Sequence, residues 1–374
     1  MDTHDLLAVS QRRHQHVERV LAVFFSDSHY RAKTLGAPYA ALWETLERNA
    51  SGGKRVRPRM VMAAYEALGG TDLDAAAHVG AAFELLHTAL IVHDDVIDRD
   101  FVRRGGVNVS GRYRDIATTA GIPLPDAEHR GMSVAIIAGD LALFNAYRLI
   151  DRSGVDGILR TRLHDLLDEA MFVSAAGELY DVDFALRRAS ATGSGGGAGG
   201  GAGGPAELPT VDEILEMERL KTAVYSFETP LQAGAVLAGA SAAAVAALGT
   251  FGRNIGIAYQ VVDDLLGVFG DERDTGKTTL GDLREGKRTV LLAHAASRPE
   301  WAEVEGFIGS PDLTAAQAGR IREVLEKTGS RRFTEALARD FANRAWEALV
   351  DPELPDAARE EFRPVVASVL GRVR

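Results

Sequence analysis

His87–Gly105 reads HTALIVHDDVIDRDFVRRG, and how it is interpreted decides the fold. An apolar lead-in runs into Asp94, Asp95 and Asp98, a DDxxD spacing. On a helix, Asp94 and Asp98 lie one turn apart and project from the same face. Buried carboxylates this close repel one another and call for a counter-ion. Magnesium suits them, because it commonly takes one or two carboxylates and fills its other positions with water and phosphate oxygens. The stretch therefore predicts a magnesium-diphosphate site on a helix. A solvated acidic helix end would carry the same residues, so the rest of the chain has to separate the two readings.

On both sides of this stretch the apolar periodicity is helical, with no convincing alternating strand. It predicts helices over about residues 5–25, 38–48, 56–68, 73–99, 129–151, 155–188, 210–227, 231–248, 252–268, 287–296, 315–327, 332–350 and 357–372. Thr210 ahead of Glu213 and Thr71 ahead of Asp74 are capping signals. Long helices with short joints predict an all-α fold, a single large helical bundle over residues 1–374. Residues 190–209 interrupt it with a segment of glycine and alanine, expected as a flexible loop. A formal GxGxxG at Gly195–Gly200 follows no strand and has no acidic partner at the right distance, which argues against a dinucleotide site.

The totals narrow the choice further. Of the 374 residues, 46% are hydrophobic and 25% charged, the balance of a globular protein with ample core. With no cysteine, disulfides, thiolate metal sites and a cysteine nucleophile are excluded, and a reducing, cytoplasmic setting fits. A net charge of -11 argues against nucleic acid as a partner, so a polyanionic ligand needs a local cluster of cations. The first residues lack the apolar core of a signal peptide. The most apolar run, Ala233–Gly249, is short and rich in alanine and glycine, so no membrane span is expected.

Such cations occur. Gly52–Pro58, GGKRVRP, places Lys54, Arg55 and Arg57 behind paired glycines at a helix start, where exposed N–H groups and fixed positive charge favour an anion. Arg103 and Arg104 follow the acidic run. His87 lies two helical turns before Asp94 on the same side. Glu84 and His87 form one ExxH, but a di-iron bundle needs two. A second acidic pair, Asp263–Asp264, ends the apolar helix that carries Gln260. Gly270–Thr278, GDERDTGKT, resembles a P-loop with one residue too many and no preceding strand, so Lys277 is expected to reach a phosphate from a loop. Lys221–Thr222 and Lys287–Arg288 complete the set.

Taken in order and spacing from about Gly52 to Arg288, these motifs resemble those of the trans-isoprenyl diphosphate synthases, most nearly the bacterial geranylgeranyl diphosphate synthases. The resemblance implies an isoprenoid-synthase bundle around a central active-site cavity. It also implies head-to-tail condensation of isopentenyl diphosphate with an allylic diphosphate (dimethylallyl, geranyl or farnesyl). Asp94, Asp95 and Asp98 match the first aspartate-rich motif, and Asp263 and Asp264 the start of the second. Together they imply Mg2+ as cofactor, three ions once substrate is bound, with Mn2+ able to substitute. Lys54, Arg57, His87 and Arg104 match the isopentenyl diphosphate pocket, and Arg103, Lys221 and Lys277 contacts to the allylic diphosphate. Arg55 and Lys287 belong to the same substrate-binding motifs, while Thr222 and Gln260 match polar groups near the developing carbocation, grouped with Lys221 as catalytic. The family's second motif usually reads DDxxD, and this chain has Gly267 at its fifth position. Asp271 is the expected replacement if the chain turns at Gly267 and Gly270.

The family often sets short products with aromatic rings four and five residues before the first motif. Here those positions are Leu90 and Ala89, which leaves room for a C20 product, with Phe83 a candidate for the floor. Farnesyl or longer products and a product-modulating subunit are the alternatives. A class I terpene cyclase would need an Asn/Ser/Glu metal motif, and Tyr259–Asp264 does not supply one. The resemblance further implies a homodimer.

Overall fold

The computed structural model describes residues 3–103, 105–191, 209–270 and 279–372. Residues 192–208 of the glycine-rich segment, with Gly195–Gly200, lie outside the described residues. The architecture is all-helical, as expected, and forms two compact units, Met1–Met171 with Tyr225–Ala246 and Phe172–Val224 with Ala247–Arg374.

Within the first unit the helices are α1 (Thr3–Lys33), α2 (Ala37–Ala50), α3 (Val56–Ala67), α4 (Leu73–Ile97), α5 (Val109–Thr119) and α6 (Leu124–Asp151). Helix α4 is its centre. Asp72 caps it, accepting from the N–H groups of Asp74 and Ala75 at 3.1 and 3.0 Å. The cap falls one residue beyond Thr71, and Asp72 satisfies two of the orphaned first-turn donors. A helix that is apolar nearly all round belongs in a core. Accordingly Ala76, Ala77, Ala81, Ala82, Phe83, Leu85 and Leu86 are fully buried, and burying a ring such as Phe83 contributes on the order of 2 kcal/mol by transfer alone. Small residues let the neighbouring helices approach. A Cβ on Gly80 would lie 3.0 Å from Cα of Pro58 in α3. In α9 (Thr229–Leu237), a Cβ on Gly234 would lie 2.3 Å from the carbonyl oxygen of Val61.

Helices α4 and α6 are long and apolar enough to cross a membrane by length and composition alone. For α4, 78% of the apolar window is buried within the protein, which accounts for its composition. The run Ala233–Gly249 breaks instead, because α9 ends at Leu237 and Gly239 adopts a positive φ of 73° before the next helix.

Two elements differ from expectation. An antiparallel hairpin pairs β1 (Val102–Arg103) with β2 (Gly106–Val107), and two residues per strand are too few for alternation to register. Helix α5 is capped by the Asn108 side chain, which accepts from the Gly111 N–H at 2.8 Å, and it buries only a short stripe of Val109, Tyr113 and Ala117.

The second unit is built on α7 (Gly157–Ala191), α8 (Val211–Glu218) with the π-helical turn Arg219–Glu228, and α10 (Ala242–Phe269), of which it takes the residues within its bounds. The short α11 (Gly281–Glu285) and α12 (Val290–Ala296) follow, then α13 (Ala315–Lys327), α14 (Ser330–Leu349) and α15 (Asp356–Arg372). Thr210 and Glu213 form the expected capping box of α8. Helix α12 starts at Val290 rather than 287, because Thr289 accepts from the Leu292 N–H and fixes the first turn there. Val268, Leu283, Leu291, Leu325 and Trp301 share one apolar cluster, and Phe251 meets Phe362 at 5.2 Å.

Candidate active site

In the first unit, α4 holds its geometry to the last aspartate. The Asp98 N–H donates to the Asp94 carbonyl at 2.9 Å, so the two carboxylates sit one turn apart at the helix end. Asp94 is half-buried, Asp95 buried and Asp98 exposed. The hairpin folds Arg103 back onto this end. Its Nε lies 2.6 Å from Oδ1 of Asp95 and its Nη2 2.7 Å from Oδ2 of Asp94. Burial alone would lower the guanidinium's pKa, but Asp95 and Asp94 outweigh it and hold it raised. Burial, with smaller contributions from Asp94 and Asp100, pushes the Asp95 carboxyl up to about 6 despite Arg103. In the metal-free protein this group's share of folding stability is thus largest at low pH and declines as pH rises towards 6. One carboxyl resonance titrating near pH 6 is expected in carbon-13 spectra, absent from Asp95→Asn; a spectrum with no such resonance contradicts the assignment.

The basic turn opens with Gly52 and Gly53, both left-handed at φ 78° and 80°, a conformation that a side chain resists. Lys54 projects into solvent. Arg55 is placed differently from its neighbours. It is buried, with Nε 2.6 Å from Glu18, and Nη1 2.6 Å from the Ala50 carbonyl and 3.0 Å from Glu84. These contacts tie α1, the end of α2 and α4 together, which is a structural use of the charge.

Arg57 and His87 are brought together by Tyr225. Arg57 Nη2 donates to the Tyr225 hydroxyl at 3.0 Å and to Ser226 Oγ at 2.7 Å, with its guanidinium 4.6 Å from the ring centre. His87 stacks on the same ring and places Nδ1 3.2 Å from its hydroxyl. Tyr225 carries no charge and lies far from both in sequence, so reading the motifs alone missed it. The KT pair four residues earlier was the only local signal. A cavity of about 740 Å3 within this unit is lined by His87, Arg103, Arg48 and Arg112, with Ile91 and Ile116 among its apolar walls. Cations thus stand beside apolar side chains in one cavity. Ala89 and Phe83 are buried in the core beside half-buried Leu90, and none of the three lines this cavity.

In the second unit, Asp263 is half-buried and Asp264 buried near the end of α10. Asp264 Oδ1 accepts from Lys287 Nζ at 2.7 Å and from Gln260 Nε2, one turn earlier, at 3.1 Å. Burial opposes the Lys287 charge, but Asp264, Asp282 and Asp263 outweigh it and hold its pKa above the ordinary value. The buried carboxyl of Glu218 faces Asp264. Burial first, and then that neighbouring charge, raises its pKa well above the ordinary glutamate value. Lys221 and Thr222 lie in the π turn. A Cβ on Gly177 of α7 would come within 2.2 Å of the Lys221 backbone nitrogen, so a glycine is required where α7 approaches it. Lys221 Nζ reaches Asp181 at 2.5 Å and Glu178 at 3.2 Å.

Arg104, Lys277 and Asp271 lie outside the described residues. Among the described residues no three carboxylate or histidine groups already converge as a ready-made cage. The donor set nevertheless fits magnesium, which needs only one or two hard oxygen ligands from protein when phosphate and water supply the rest. In each unit a cationic side chain, Arg103 or Lys287, already rests on the aspartates where such an ion would sit.

A helical frame with aspartate pairs set against single cations has the donor chemistry suited to a metal ion and a diphosphate. The chain belongs to the polyprenyl synthetase family, whose sequence profile matches residues 40–326. It is a prenyltransferase, a trans-prenyl diphosphate synthase. A geranylfarnesyl diphosphate synthase of Aeropyrum pernix is 32% identical over 83% of this chain and 87% of its own. A farnesyl diphosphate synthase of Mycobacterium bovis is 30% identical over 86% and 80%. The crystal structure of a geranylgeranyl pyrophosphate synthase from Corynebacterium glutamicum, complexed with isoprenyl diphosphate and magnesium, is 29% identical and covers 100% of both chains with a TM-score of 0.83. These relatives differ in product, so the family does not fix product length.

Proposed function

We propose that the protein condenses isopentenyl diphosphate with an allylic diphosphate to give chiefly geranylgeranyl diphosphate, working as a single catalytic domain. The observation that carries this reading is the end of α4, where Asp94 and Asp95 are gripped by Arg103. Asp94 and Asp98, with Asp95 behind them, would hold magnesium in the first motif, and Asp263 and Asp264 would hold it in the second, for three ions in all. Bound magnesium supplies charge stabilisation for the departing diphosphate. Arg103, Lys221 and Lys277 hold the allylic diphosphate as negative charge builds on its bridging oxygen. Lys54, Arg57, His87 and Arg104 hold the head group of isopentenyl diphosphate, with Tyr225 fixing Arg57 and His87. Apolar walls exclude water from the allylic cation, and the amide of Gln260 and hydroxyl of Thr222 turn their dipoles towards it. The isopentenyl double bond attacks, and a proton leaves to the released diphosphate. No side-chain nucleophile is needed.

The C20 assignment rests on Ala89 and Leu90, which lack the rings that would cut elongation short. Ala89→Phe is expected to shift the main product to a shorter chain, at a stability cost of about 1–3 kcal/mol for overpacking a residue that is 1% exposed. Chromatography of dephosphorylated products checks this, and an unchanged product length removes Ala89 from the ruler. The full reading is tested by incubating the purified protein with magnesium, isopentenyl diphosphate and each of dimethylallyl, geranyl and farnesyl diphosphate. C20 is expected. C15 or C25 as the main product corrects the length, and no chain extension overturns the reading in favour of a modulatory subunit.

The partner is a second copy of the chain. Ile136, Ile137 and Phe144 are exposed on α6 at 46, 50 and 74%, an apolar face that a symmetric contact would cover. The cysteine-free composition supports a cytoplasmic setting.

A further inference from the structure

Gly267 stands where a DDxxD spacing would put the third carboxylate of the second motif, one turn beyond Asp263. It sits inside α10 without a positive φ, so backbone conformation does not call for glycine there. Space does. A Cβ built on Gly267 would lie 2.1 Å from Oδ2 of Asp282 and 2.9 Å from its Cγ. The carboxylate of Asp282, arriving from α11, therefore occupies the volume that a side chain at 267 would need.

The backbone that carries that carboxylate is anchored. Leu283 beside it is fully buried and its carbonyl accepts from the Gly309 N–H at 2.7 Å. Helix α11 ends in left-handed Gly286, and the Lys287 N–H returns to the Asp282 carbonyl at 3.0 Å. The cation resting on the second motif, Lys287, interacts with Asp264, Asp282 and Asp263 together, so a positive charge placed there experiences all three carboxylates.

We propose that Asp282 replaces the missing third carboxylate of the second magnesium motif, with Gly267 as the gap that admits it. This rests on the prenyl-transfer reading above. Asp282 acts as a positioning residue. It accepts hydrogen bonds from the water that magnesium keeps when protein supplies only one or two ligands, and outer partners of this kind typically govern metal affinity by 10–100-fold. Asp271 is the competing candidate from the sequence.

The test is calorimetric and needs no turnover. Binding of a non-reactive thiolo analogue of an allylic diphosphate is titrated with magnesium, using the full-length protein. Wild type is expected to bind the analogue only with magnesium, and failure here rejects the prenyl-transfer reading itself. With that established, Asp282→Ala and the isosteric Asp282→Asn are expected to raise the half-saturating magnesium concentration on the order of tenfold or more. Gly267→Asp with Asp282→Ala, which restores the usual spacing, is expected to return it to near the wild-type value. Gly267→Asp alone forces two carboxylates into one space and gives no gain. Unchanged magnesium dependence in both Asp282 variants overturns the proposal. So does a double variant no tighter than Asp282→Ala, or a shift confined to Asp271→Ala.

Discussion

Asp94→Asn is expected to lower kcat by on the order of a hundred- to a thousandfold. Asparagine keeps the size of the side chain and can still accept a hydrogen bond from Arg103, so the hairpin and the end of α4 stay in place. The charge is lost, and with it one of the two carboxylates that project from the helix end one turn apart. Ionisation of an allylic diphosphate places its new negative charge on the leaving group, and a weakened metal contact is felt most at that point. Single-turnover rates measured at saturating magnesium separate this from a simple loss of metal affinity. A variant that ionises substrate within a few-fold of the wild type would put the metal elsewhere.

Arg55→Leu is expected to cost about 3–5 kcal/mol of folding stability, the penalty for breaking a buried ion pair from one side. Glu84 is left with its charge in a site only 8% exposed, where Oε2 already lacks a hydrogen-bond partner. Leucine also inherits a left-handed backbone position at φ 47°. Urea denaturation reads the effect directly. Replacing Glu84 by leucine as well should recover much of the loss, because the stranded charge dominates it. A cost below about 1 kcal/mol would make the pair equivalent to an ordinary surface bridge.

These two residues show how far the sequence could be read. The place of Asp94 at a helix end was legible because carboxylates four residues apart behind an apolar run leave a pattern that survives without any structure. Arg55 was not, because a run of three cations in GKRVR looks uniform. Only the fold distinguishes exposed Lys54 and Arg57, which turns to Tyr225, from Arg55, which faces inward to two glutamates. The helices were legible for the same reason as Asp94, since apolar periodicity is local. The hairpin was not, being shorter than any period, and neither was Tyr225, whose importance lies in contacts with residues 138 and 168 positions away. Asp282 belongs with these. A glycine at the fifth position of the motif was visible in the sequence, but only three-dimensional packing brings the Asp282 carboxylate to that space.

Arg103 has a consequence for the order in which ligands arrive. Its guanidinium holds Asp94 and Asp95 at 2.7 and 2.6 Å, so these two carboxylates already share one positive charge before any ion reaches them. On the proposed assignment, magnesium arriving alone would have to displace that grip and leave the arginine without an anion. A diphosphate arriving alone competes with two carboxylates for the same cation. Arriving together, each releases what the other needs, and the coupling is reciprocal: whatever factor the diphosphate adds to metal affinity, the metal adds to diphosphate affinity.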